Sequence, residues 1–120
     1  MTRLAPAAAI FLMGSAALAV EPTHPEYSAN SMLPRCKKLL AMANGGILRT
    51  ADDIFAAGRC MGMIEGTSYL TPTICAPAGA TTSQRLQVIV SYIEARPARM
   101  NEDFRSLALE GMEQAWPCKQ

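Results

Sequence analysis

Residues 58–66 read GRCMGMIEG: Gly58, Gly62 and Gly66 recur at every fourth position, and Cys60 falls between the first two. The stretch lies inside an otherwise helical pattern, although each glycine costs a helix about 1 kcal/mol against alanine. Such a helix has to recover that cost. Bare backbone along one side lets another backbone approach closely, either inside one chain or between two. Ile54, Ala57, Met61 and Ile64 form a second apolar strip, and Phe55 joins the glycine side. Apolar residues on two sides predict a central helix packed by neighbours on both. Cys60, at 100° per residue, lies about 200° round from Gly58 and would tie this helix to a different partner.

The flanking sequence builds further helices. The central one, over 50–70, begins at Thr50 and Asp52, both capping types, with Asp52 and Asp53 favoured by the helix dipole in its first turn. Before it, 28–43 place Leu33, Cys36, Leu39 or Leu40 and Ala43 at helical spacing, and Asn44-Gly45-Gly46 stops the run. Pro34 belongs in a first turn, which predicts a cap at Asn30 or Ser31. After the loop 71–81, Thr81 and Gln84 form a capping box for a third helix ending before Arg96-Pro97. Its buried face is Leu86, Ile89, Val90 and Ile93. A fourth helix is expected from an Asn101 cap, burying Phe104, Leu107, Ala108, Gly111 and Ala115. Met61, Met63, Met100 and Met112 are expected to fill gaps in the core. The expectation is an all-α bundle of four main helices.

Bulk properties limit what such a bundle can do. The chain has 120 residues and a net charge of +1, enough for one domain and without the basic excess of a nucleic-acid binder. Residues 1–19 have the layout of a signal peptide: Arg3, an apolar run, then Ala17-Leu18-Ala19, with cleavage expected before Val20. Residues 20–120 would then be a single exported domain holding all four cysteines, Cys36, Cys60, Cys75 and Cys118. An even count in a small exported chain predicts two disulfides. The gaps between cysteines exceed those of zinc modules and of thioredoxin-type pairs. Of the three pairings, Cys36–Cys60 with Cys75–Cys118 is favoured and Cys60–Cys75 is the main rival. Each bond stabilises by roughly 3–4 kcal/mol in the chain-entropy model.

No catalytic set is found, and no metal or cofactor motif. The one histidine, His24, lies in the proline-bearing lead-in, so no serine or cysteine has a base. Glu65 is the notable carboxylate, but nothing singles out a pair with it. Arg96, Arg99 and Arg105 cluster around Pro97, yet Glu94, Glu102 and Asp103 accompany them, as on a solvated surface. The glycine spacing lies outside any apolar twenty-residue span, which argues against a membrane dimer.

Four pieces in order carry a resemblance. They are G-x-C-x-G at Gly58, Cys60 and Gly62; C-x-P-x-G-x-T-x-x-Q at Cys75, Pro77, Gly79, Thr81 and Gln84; Y-I-x-x-x-P at Tyr92, Ile93 and Pro97; and W-P-C at Trp116–Cys118. This set resembles the Rap/Tai family of immunity proteins, small exported helical proteins of Gram-negative bacteria. Met63 departs from it, standing where the family usually has an aromatic. The resemblance implies a non-catalytic periplasmic protein that binds and blocks a peptidoglycan amidase toxin of type VI secretion, and it implies a homodimer. The alternative is a periplasmic binding or stress-chaperone module without a toxin partner. A carboxylate enzyme is the third reading and ranks below both. Loops often carry recognition, so the contact candidates lie in and before the irregular stretch: Glu65, Tyr69, Leu70, Thr71 and Ile74.

Overall fold

The protein, seen in a computed structural model, is described over residues 24–69 and 71–119. The expected signal peptide and its cleavage point lie outside the described residues, as do Leu70 and the Tyr69 side chain. Helix α1 spans Ala29–Ala43, α2 Ala51–Tyr69, α3 Thr82–Glu94 and α4 Phe104–Ala115, and there is no strand among the described residues. Single 3-10 turns at Pro25–Tyr27 and Pro97–Arg99 precede α1 and α4. The all-α reading therefore stands.

Two helix starts differ from expectation. Ser28 caps α1, accepting from Ser31 N, so Pro34 lies inside the helix and not in its first turn. The early start is held by other parts of the chain: Ala29 N donates to Glu102 O at 2.9 Å and Asn30 N to Met100 O at 2.7 Å. Two amides that a helix start normally leaves unpaired are satisfied there. Asp103, not Asn101, caps α4, its carboxylate accepting from Ser106 N at 2.9 Å. Residues 97–99 take up the intervening chain as a 3-10 turn. The other caps are as expected: Thr50 accepts from Asp53 N, and Thr81 with Gln84 forms the full capping box.

The core is built from one face of each helix. Met32, Cys36 and Leu39 meet Ala57, Cys60 and Ile64 of α2, and Leu86, Ile89, Val90 and Ile93 of α3 close over Phe104, Leu107, Ala108 and Met112 of α4. Cys36 and Cys60 form a disulfide at its centre with neither residue exposed. Cys75 and Cys118 form the second bond.

Helix α2 is not packed on both sides. Its buried face runs through Ala57, Cys60, Ile64 and Thr67, whereas Ile54 (61 %), Phe55 (68 %) and Met61 (39 %) are exposed. A Cβ built on Gly58, Gly62 or Gly66 would meet nothing within 4 Å. The glycines thus approach no other element among the described residues, and Met61 does not fill the core. The close approach occurs elsewhere, at Gly111, where a Cβ would stand 2.9 Å from Tyr92 Cβ and Cγ. Ala115, expected on the buried face of α4, is exposed.

Candidate partner-binding surface

The irregular segment 71–81 is fastened at several points. Cys75 N donates to Trp116 O at 3.0 Å, Ile74 pairs with Pro117 as an isolated bridge, and the Cys75–Cys118 bond links the same two stretches. Thr73 Oγ1 donates to the Glu113 carboxylate of α4, and a turn closes through Ala80 N to Pro77 O. A loop so tied loses little freedom when a partner docks, which favours affinity.

Concave surface gathers around this segment. Pro77, Gly79 and Ala80 form one wall of a cleft of about 570 Å³, with Gln84, Gln87 and Val88 of α3 opposite and Trp116 beside them. Thr71 lines a second cleft of about 220 Å³ between α2 and α4, with Gly66, Thr67, Arg105 and Leu109. Pro72 and Thr73 line a third, of about 340 Å³, beside Cys118.

The contact candidates have distinct surroundings. Glu65 is half-buried and accepts from Thr82 Oγ1 at 3.1 Å, which ties the C-terminal half of α2 to the start of α3. Thr71 is half-buried and donates to Thr67 O at 2.9 Å, extending the end of α2. Ile74 packs partly against the core. Thr67 had no role in the sequence reading. It is 5 % exposed, and its Oγ1 has no partner. Its spacing from Cys60 and Ile64 is the signal that could have placed it inside, but no pattern shows which hydroxyl lacks an acceptor.

Two of the three arginines near Pro97 are structural. Arg99 donates Nη1 and Nη2 to Glu110 at 2.7 and 2.9 Å, and Nε and Nη2 to Glu102 at 2.8 and 2.7 Å. Tyr92 Oη adds a bond to Glu110 at 2.8 Å. These donors, Arg99 first and Tyr92 second, hold the Glu110 carboxyl down at about 2. Arg99 likewise lowers Glu102, and Glu102 and Glu110 raise Arg99. Arg96 stacks 3.6 Å over the Tyr92 ring and donates to Tyr92 O. Arg105 stands apart from this network, between the second cleft and another hollow lined by Tyr27, Met63 and Asp103.

Two disulfides and a fastened loop make this a small, rigid helical scaffold with preformed concave surface around one segment. The family model of Rap1a immunity proteins matches residues 28–118, so the chain belongs to that family. No curated protein and no solved structure matches it.

Proposed function

We propose that this protein binds and blocks a peptidoglycan amidase toxin delivered by type VI secretion, acting in the periplasm as a homodimer and without turnover. Membership of the immunity family carries the reading. An immunity protein works by occupying its toxin, so it needs a preformed surface and no chemistry of its own. The segment 71–81 suits that role, since the three clefts draw their walls from it. The contacts are assigned to Glu65, Tyr69, Leu70, Thr71 and Ile74.

The cysteines support the location. Disulfides persist in oxidising compartments, and both bonds here are formed. No helix among the described residues is long and apolar enough to cross a membrane.

The test is to purify the protein with an amidase encoded beside it. A stable complex and protected peptidoglycan are expected. Thr71→Arg should weaken binding by at least about tenfold because it fills a cleft wall, and should lower stability only by what the lost bond to Thr67 O is worth, about 1 kcal/mol. Absence of a complex with any such amidase removes the reading.

A further inference from the structure

We infer that the groove between α2 and α4 takes a carboxylate side chain of the partner, with the Arg105 guanidinium as its counterion. This rests on the inhibitory reading above and gives one contact its chemistry.

Arg105 stands where two hollows meet. It borders the 220 Å³ cleft together with Gly66, Thr67, Thr71 and Leu109, and a hollow of about 280 Å³ together with Tyr27, Met63 and Asp103. Met63, Gly66 and Thr67 follow one face of α2, and Arg105 and Leu109 one face of α4, so the two hollows continue into each other between these helices. The neighbouring arginines are already engaged. Arg59 lies 3.9 Å from Glu26, Arg96 stacks on Tyr92, and Arg99 holds Glu102 and Glu110. Arg105 is exposed and forms no ion pair among the described residues. The acid that lines the groove, Asp103, accepts from Ser106 N and Oγ at the start of α4.

Two features of the cleft wall disfavour the free chain. Gly66 weakens α2, and a Cβ there would meet nothing within 4 Å, so the room it leaves belongs to the cleft. Thr67, 5 % exposed, keeps a hydroxyl without a partner. Such breaches of local rules gather at functional sites. A carboxylate brings an acceptor to that wall.

Size and charge select the group. At about 220 Å³ the cleft is smaller than the roughly 300 Å³ at which small-molecule sites begin, so it suits one side chain and not a whole ligand. A guanidinium presents a planar fork of donors that fits a carboxylate through two parallel bonds. Among unmodified side chains, aspartate and glutamate carry that group. Tyr27, 43 % exposed, with Met63 and Leu109, offers apolar contact on either side of Arg105. Arginine and tyrosine are the residue types that most often anchor an interface. Thr71→Arg weakens binding in spite of its charge because it occupies this room.

The first experiment needs no toxin. The full chain, exported by an expression host and labelled with nitrogen-15, is titrated with the blocked tripeptide acetyl-Leu-Glu-Leu-amide and with its glutamine counterpart. The glutamate peptide should shift the Gly66 and Thr71 amides and Arg105 Nε saturably, with a Kd on the order of 1 mM and about fivefold below that of the glutamine peptide. Arg105→Gln should abolish the difference. Equal binding of the two peptides, no saturation, or a preference that survives Arg105→Gln overturns the inference. With an amidase that forms the complex, Arg105→Glu should raise Kd at least about tenfold while Tm holds, since Arg105 pairs with no acid of its own chain. A reversed charge at one amidase aspartate or glutamate should restore affinity for that variant. A complex indifferent to Arg105→Glu overturns the inference and leaves inhibition standing. Absence of any complex removes inhibition, while the peptide titration still decides whether the groove selects a carboxylate.

Discussion

An alanine at position 111 brings its Cβ to within 2.9 Å of Tyr92, on an aromatic ring already fixed by Glu110 and Arg96. Gly111→Ala should therefore cost about 1–3 kcal/mol, measured by urea unfolding. Gly62→Ala meets open space and should instead stabilise the monomer by up to about 1 kcal/mol. Thr67→Val replaces a buried hydroxyl that lacks a partner with a methyl of the same shape, and should gain about 1 kcal/mol. The residue scale was only partly legible in the sequence. Periodicity placed Leu86, Ile89, Val90 and Ile93 inside correctly. It also placed Ile54 and Met61 inside, because an apolar row has the same pattern whether a neighbour covers it or not.

Helices α3 and α4 are clamped by the Arg99 network, which gives the pair an acid limit. Glu110 is held at about 2 against its ordinary 4.5. As pH falls through that window, the unfolded chain takes up a proton that the folded chain refuses, so stability present above 4.5 is progressively lost toward 2. Glu102 and Asp53, both lowered, act in the same direction. Thermal melts of wild type from about pH 6 to 2 should show this decline, and Glu110→Gln should flatten it. At the loop, Cys75 is exposed and Cys118 half-buried, whereas Cys36 and Cys60 are wholly covered. A dithiol reductant acting on folded protein should open Cys75–Cys118 first, read by alkylation at those two positions. Alkylation of Cys36 and Cys60 first would contradict the burial. Capping chemistry made α3 legible to the residue, through Thr81 and Gln84. The start of α1 was not legible because it rests on bonds from Ala29 and Asn30 to residues 100–102, about seventy positions away. That of α4 is local, an Asp103 cap on Ser106 N, but Asn101 and Asp103 are both capping types and spacing does not choose between them.

For the molecule as a whole, the Cys36–Cys60 bond should outweigh any single core contact. Replacing both sulfurs with alanine should cost at least about 3 kcal/mol in a domain whose total stability is of order 5–15 kcal/mol. A fall in Tm without loss of helical circular dichroism at low temperature is the expected result. The four-helix architecture and the ordered motifs were readable because both depend on local spacing. The clefts around residues 71–81 were not, since their walls combine that loop with Gln84, Arg105 and Trp116 from other elements. The two bonds also join cysteines that are neighbours in chain order, first with second and third with fourth. An oxidase that couples thiols as each emerges from a translocation channel therefore arrives at the native pattern directly, and maturation should proceed at full yield in cells that lack a disulfide isomerase.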